Sequence, residues 1–427
     1  MRTSVSSFGR LSAENHNVLG ASFESVTGGS NVLPRGLGSS YGDVCLNPGG
    51  TLLQTSGLNN LLAFDSEHGL LTVEAGVTLG EIQRIFAPKG WMLSVTPGTQ
   101  FVTVGGAIGN DVHGKNHHAR GTFGDNTLSF TLIRTTGEIL HCSRTENSQL
   151  FHATIGGLGL TGLIASATIQ LQPVAGAFLD TETLVFQNSS EFLALSDASE
   201  PHWQYVVSWI DCTSKNGRGI FMRGNNSADT RVPEVKLGGP KVPFTPPISL
   251  INRASVSAFN QAYFNLNRLR SGAAKTHYQP YFYPLDSVRN WNLAYGPHGF
   301  FQYQMVIPRT NGREVLDEVL GEIRKSGQGS FLAVLKTFGN QNGPGMLSFA
   351  RPGITLALDF TNYAERSEKL FKRLDDVVLA AGGTLNPSKD ARMSRQMFEQ
   401  GFPGFGEFQN YRDRGISSAM SRRLMGW

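Results

Sequence analysis

Between Val95 and Phe123 the chain reads VTPGTQFVTVGGAIGNDVHGKNHHARGTF, with six glycines, three histidines and one lysine set between two apolar, strand-like segments. No other stretch restricts the fold so strongly. Glycines at Gly98, Gly105, Gly106 and Gly109 let the backbone take positive φ and approach a ligand with no Cβ in between. Amides left free in such turns can converge on an anion, most often a phosphate. A glycine-rich stretch can also be a plain connection, and this one is neither a G-x-x-x-x-G-K-[ST] loop nor a G-x-G-x-x-G fingerprint at a strand–helix junction. A second loop, PRGLGSSYGD from Pro34 to Asp43, again follows a short apolar segment and adds the charge of Arg35. Two anion-cradling loops about sixty residues apart suit a ligand the size of a dinucleotide.

With 427 residues the chain is long enough for two cores. Its 40% hydrophobic and 16% charged content is that of a folded globular protein. The formal charge of +4 is spread without runs, too little to argue for a nucleic acid partner, though it favours an acidic ligand or an anionic membrane surface. Cys45, Cys142 and Cys212 have neither disulfide-framework nor zinc-site spacing, which points to a reducing, cytoplasmic compartment and to no metal. The N-terminus lacks a signal-peptide core and no apolar run reaches 18 residues, so the expectation is a soluble chain, or one held peripherally at the inner face of a membrane.

Short strands separated by glycine turns are expected from about Asn17 to Gln172. Leu71–Gly76 reads as a strand and Thr78–Gly90 as a helix with Leu79, Ile82, Ile85 and Phe86 on one face. LSFTLIRTTGEILHC reads as a hairpin turning at Thr136-Gly137, and GLIASATIQLQPV as a half-buried strand. The glycine-rich character fades near Pro173. Beyond it, strand-like segments such as HWQYVVSWIDC and GFFQYQMVIP alternate with helices such as GREVLDEVLGEIRKSG, in which Val315, Val319, Leu320 and Ile323 share a face. The expected class is α+β, with an antiparallel sheet in a second, cap-like unit. The segment 231–252 carries five prolines and can form no regular element; it reads as a surface loop, or as a lid touching lipid.

PRGLGSSYGD, then TPGTQFVTVGGAIGNDVHGKNHHARGTFGD, then GGLGLTG at 156–162 resemble the flavin-binding segments of the vanillyl-alcohol-oxidase-type FAD oxidoreductases. HGKNHH at 113–118 is similar to the decaprenylphosphoryl-ribose 2-oxidase group within that superfamily. The resemblance implies an FAD-binding domain formed by residues 1–173 and 383–427 and a substrate-binding domain formed by 174–382. It implies non-covalent FAD held by Arg35, Gly36, Leu37, Gly38, Ser39, Ser40, Tyr41 and Gly42 of the first loop. From the second it adds Gly98, Thr99, Thr103, Gly105, Gly106, Ala107, Asn110, His113, Gly114, Asn116 and His117. Gly156, Gly157, Gly159 and Ile164 of the third loop, and Asn386 near the C-terminus, complete the cofactor set.

Oxidising a secondary alcohol with a flavin requires a hydride acceptor and a group that manages the hydroxyl proton. By resemblance Lys389, in GGTLNPSKDAR, is the catalytic lysine, either steadying an alkoxide or acting as base. His113, the second catalytic candidate, stands by resemblance near the flavin ring and the substrate hydroxyl, where it could accept the proton; His117 and His118 read as structural. Gln302 and Gln304 alternate with Phe301, Tyr303 and Met305, so both amides share one face of a strand. Buried amides need hydrogen-bond partners, and a polar ligand pocket would supply them. Lys336 and Phe338 match further substrate positions, with Lys336 suited to a phosphate, and Tyr41 and Trp209 read as pocket walls.

The implied reaction is oxidation at the 2-position of a sugar on a polyprenyl phosphate, giving a keto sugar. A separate short-chain reductase would complete the epimerisation for cell-envelope glycan assembly. Two alternatives stand beside it: an FAD-dependent oxidase of a free polyol or sugar lactone, and a non-catalytic protein, either a flavin binder without turnover or a non-enzymatic subunit of a reductase complex, against the last of which Lys389 together with His113 argues. Three departures mark an altered pocket: Ala357 replaces the cysteine of mycobacterial enzymes, Asn386 replaces an aromatic residue, and Phe282 replaces a tyrosine.

Overall fold

The computed structural model describes residues 2–233 and 239–427 and contains three sheets. The first joins β1 (Arg2–Ser6), β2 (Ala13–Gly20), β3 (Val32–Arg35) and β4 (Thr51–Gln54) in the order β1-β2-β4-β3, with parallel pairing of β4 to both neighbours. Parallel ladders were not anticipated from the sequence, because strands this short carry no signal of pairing direction.

The second sheet holds β5 (Leu61–Asp65), β6 (Leu70–Glu74), β7 (Trp91–Leu93), β8 (Thr127–Ile133), β9 (Ile139–Ser143) and β10 (Leu163–Pro173). β10 is its centre, pairing antiparallel with β6, β7 and β8. Leu163, Ala167, Ile169 and Leu171 alternate along β10 and are buried, as a strand with one face on a core requires. The helix Leu79–Phe86 covers this sheet with Leu79, Ile82 and Phe86. It starts at a reciprocal Thr78–Glu81 capping box and is followed by a 3₁₀ turn that ends at Gly90, where φ is +81°.

The third sheet is antiparallel throughout, in the order β14-β11-β13-β12-β16-β17-β15-β18. Its strands are β11 (Phe178–Phe186), β12 (Tyr205–Ile210), β13 (Gly219–Asn226), β14 (Gly272–His277), β15 (Phe300–Ile307), β16 (Ala333–Phe338), β17 (Gly353–Thr361) and β18 (Thr384–Leu385). Met305, Ile307, Leu335, Leu356 and Leu358 point to one side and share a core with the helices Gly312–Ser326 and Glu365–Ala380. The intervening residues Gln302, Gln304, Lys336, Thr355 and Ala357 point to the other side, into a cavity. The expected α+β class with an antiparallel sheet describes this arrangement. β18 begins one residue after the boundary expected at 383 and is still part of the third sheet, bonded to β15.

After β18 the chain runs back to the N-terminal half. The Asp413 carboxylate accepts from the Thr135 amide, Ser417 donates to the Val32 carbonyl, and Arg423 pairs with Asp43. The helix Arg253–Leu269 had not been expected. The described residues of the proline-rich segment, 231–233 and 239–252, contain no helix or strand longer than an isolated bridge between Lys241 and Arg289. Residues 234–238, and with them part of the expected lid, lie outside the described residues.

Candidate active site

A cavity of about 1210 Å³ runs from the glycine-rich loops to the polar face of the third sheet. Sites for single drug-sized ligands span roughly 300–1,000 Å³, so this one has room for more than one group. Its first wall is the loop after β3. Carbonyls fasten that loop: Gly36 accepts from Gln54 Nε2 at 2.6 Å, Ser40 from the Phe8 amide, and Tyr41 from the Gly9 amide and Ser7 Oγ. Among the described residues, the amides of Leu37, Gly38, Ser39 and Ser40 donate to no protein group. Free amides lining a cavity form an anion nest. Gly38 sits at φ +69° and its missing Cβ would lie 1.9 Å from Arg35 Nη2, so only glycine turns here while Arg35 reaches Ser6 and Gln54.

The second wall is the loop and short helix Val104–Gly109, opened by Thr103 Oγ1 accepting from the Gly106 amide. Gly98, Thr99, Thr103, Gly105, Gly106, Asn110, His113 and Gly114 line the cavity, with Gly159 and Ile164 from the third loop. Asn110 Oδ1 is buried without a partner there, an acceptor awaiting a donor. Free amides on one side and an orphaned acceptor on the other fit a dinucleotide.

Seven expected neighbours lie behind the walls, for packing reasons. Gly42 is pressed on the Asp390 carbonyl, 1.7 Å from where its Cβ would be, and Gly157 is pressed on the Ala153 carbonyl. Gly156 packs on Ser348 and Ala107 is buried in its helix. Asn116 donates to the Ser94 carbonyl at 2.8 Å, and His117 Nδ1 accepts from the Gly339 amide at 3.1 Å. Phe338 is buried with its ring centroid 4.9 Å from His113 and 4.6 Å from His117, so it supports the imidazoles and does not face the cavity. His118 bonds the Trp203 carbonyl.

The far wall is the polar sheet face. Asn386 Nδ2 donates to Gln304 Oε1 at 3.1 Å, which orients that amide so that its Nε2 donates to His113 Nε2 at 3.1 Å and to Thr355 at 3.2 Å. Gln302 donates to Asp359 Oδ1 at 2.6 Å, while Gln302 Oε1 and Asp359 Oδ2 are buried without partners. Tyr41, Trp209 and Asn386 also line the cavity, and Lys389 Nζ stands 5.7 Å from the Tyr41 ring centroid. Lys336 Nζ donates to the Gly114 carbonyl and Lys115 Nζ to the Phe282 carbonyl, both at 2.9 Å.

Burial governs the charges. It lowers Lys389 to about 8 against an opposing pull from Asp359, and Lys115 to about 8 against Asp286. Burial and the neighbouring Lys115 and Lys389 push Lys336 well below the ordinary lysine value. His113, desolvated and facing Lys336 and Lys389, is held well below its usual value and is neutral at pH 7. Burial raises Asp359 to about 7. Lys115, Asp286 and Asp359 had not been singled out from the sequence. Only the β15–β17 register, which sets Gln302 opposite Asp359, reveals the last of these.

An amide nest that continues into a chamber of lysines and amides defines an enzyme that holds a dinucleotide against a polar, acidic substrate. The FAD binding domain family matches residues 26–143. The decaprenylphosphoryl-β-D-ribose oxidase of Mycolicibacterium smegmatis is 36% identical over 93% of this chain and 90% of its own length. An uncharacterized protein in the mprA 5′ region of Streptomyces coelicolor is 30% identical over 82% of this chain and all of its own. Mouse L-gulonolactone oxidase is 32% identical over only 42% of each chain. The chain belongs to the decaprenylphosphoryl-β-D-ribose oxidase family of FAD-dependent oxidoreductases, and FAD is its cofactor.

Ala357 is a cavity residue, and the three native thiols are buried and raised to about 11 or 12. Thiol-directed electrophiles that fit the chamber should leave the wild type unlabelled and label Ala357→Cys; intact-mass spectrometry reads the difference. Equal labelling of both would show that a native cysteine is reactive.

Proposed function

We propose that the protein oxidises the 2-hydroxyl of a sugar carried on a polyprenyl phosphate to a keto sugar, the first half of an epimerisation that a separate short-chain reductase completes. The observation that carries this reading is the joining, in one cavity, of an amide nest to a chamber holding Lys115, Lys336, Lys389 and His113. Three lysines on the walls of one chamber, each able to donate hydrogen bonds, suit a substrate with a phosphate beside its reacting hydroxyl.

Bound FAD supplies the hydride acceptor. In our reading residues 1–173 and 383–427 hold it without a covalent bond, and His113 Nε2, already accepting from Gln304, has its lone pair engaged. Lys389, lowered to about 8, has an amine fraction large enough at neutral pH to take the hydroxyl proton. Gln304, fixed by Asn386, donates to His113 Nε2 and orients the imidazole, which burial and the neighbouring Lys336 and Lys389 keep neutral. Lys336 and Lys115 provide the field for the phosphate, and residues 174–382 form the substrate domain. Among the described residues no helix is long and apolar enough to cross a membrane, so access to a lipid substrate would be by peripheral contact.

The purified protein should be yellow and release its flavin on acid precipitation. Under anaerobic conditions the flavin should bleach with a polyprenyl-phosphate pentose. Bleaching only with free polyols or sugar lactones would replace this reading with the lactone-oxidase one.

A further inference from the structure

The helix Arg253–Leu269 carries an apolar stripe in addition to the face it buries. Val256, Asn260 and Phe264, four residues apart, are buried against the third sheet; Asn260 bonds Asp211 and the Ser330 carbonyl, and Phe264 packs with Trp209. A stripe formed by Phe259, Tyr263, Leu266 and Leu269, spaced by four, three and three residues, lies on a different face. Phe259, Leu266 and Leu269 are 44%, 45% and 80% exposed. An ordinary solvated face would carry polar residues there, as Ser257, Gln261 and Arg268 do elsewhere on this helix.

Phe259 and Tyr263 line the same cavity as His113 and Lys389. Their rings stack 5.7 Å apart, Tyr263 lies 4.8 Å from Trp209, and Phe259 lies 5.6 Å from Phe331. The stripe therefore starts inside the cavity and, at 1.5 Å per residue, runs about 15 Å along the helix to Leu269. We infer that this stripe is the track for the isoprenoid chain of the substrate, leading it from the sugar-phosphate chamber out along the helix. The inference rests on the lipid-linked reading given above. A polar ligand would gain nothing from three hydrocarbon side chains and a tyrosine ring in a row, whereas a linear run of methyl-branched prenyl units buries apolar surface at every turn of the helix. The cationic Arg268 and Arg270, beyond the end of the cavity, fit a membrane surface from which such a chain would be drawn.

The test compares a decaprenyl-phosphate pentose with its geranyl-phosphate counterpart as substrates of the flavin-loaded enzyme. For Leu266→Glu combined with Leu269→Glu, the ratio of kcat/KM for the long over the short substrate should fall about tenfold or more, through KM. Both side chains are exposed, so the fold tolerates the change, and the flavin spectrum and Tm report this independently. Ser257→Glu combined with Arg253→Gln, at exposed polar positions of the same helix, changes the net charge by the same two units and should leave the ratio at the wild-type value. An unchanged ratio in the leucine double variant, or an equal fall in the polar-face double variant, overturns the track while leaving the reading of the chemistry intact. A wild type that oxidises neither lipid-linked sugar overturns both.

Discussion

Lys389→Ala should keep its flavin and lose turnover by about 10²–10⁴-fold, the range that a positioned acid or base contributes. In the wild type, kcat/KM should rise with pH and level off above about 8, as the buried ammonium gives up its proton. That limb should vanish in the variant. Lys389→Arg should be nearly as inactive, because a guanidinium cannot accept the proton. Stability separates a chemical loss from a folding one. The folded-state value lies below that of an unfolded lysine, so between about 8 and the ordinary lysine value the unfolded chain binds more protons, and stability rises with pH there. At neutral pH the buried charge is a burden, and Lys389→Met should melt at or above the wild-type temperature. A variant that turns over normally would remove Lys389 from the mechanism.

The second large effect is on the cofactor. Gly38→Val should give a nearly colourless protein, because a side chain at φ +69° strains the turn and displaces the Arg35 guanidinium that props the loop. The strain is about 1–3 kcal/mol before any lost contact is counted. The affinity of the nest depends on the four amides around it keeping their aim. Absorbance near the flavin band after gel filtration reads the loss, and circular dichroism checks the fold. A fully yellow variant would show that the amides from Leu37 to Ser40 do not hold the pyrophosphate.

The sequence carries the alternation that puts Gln302 and Gln304 on one face, and the register of β15 realises it in the cavity wall. Lys389 and Asn386 had no local signal of their own; only the resemblance of GGTLNPSKDAR singled them out. The same route also named Gly42, Ala107, Asn116, His117, Gly156, Gly157 and Phe338, which lie behind the cavity walls, since a matched segment marks a stretch of chain but not which side of it faces the ligand. Asp359 was invisible for the opposite reason: its partner Gln302 is 57 positions away and meets it only through strand pairing. The helix Arg253–Leu269 was missed because Asn260 interrupts its buried face while Phe259, Tyr263, Leu266 and Leu269 make an adjoining face apolar, which blurs the single periodicity by which a helix is recognised.

The two-sided third sheet separates two kinds of selection. Along Gln302–Met305, Val334–Lys336 and Ile354–Leu358 the side chains alternate between the oily core and the chamber. A change such as cysteine to alanine at position 357 alters what the chamber accepts without opening a void beneath the helices Gly312–Ser326 and Glu365–Ala380. Relatives can therefore diverge in substrate by single steps on one face while the other face continues to specify the fold. Chamber positions on these strands are the natural starting points for redirecting the enzyme to a different sugar.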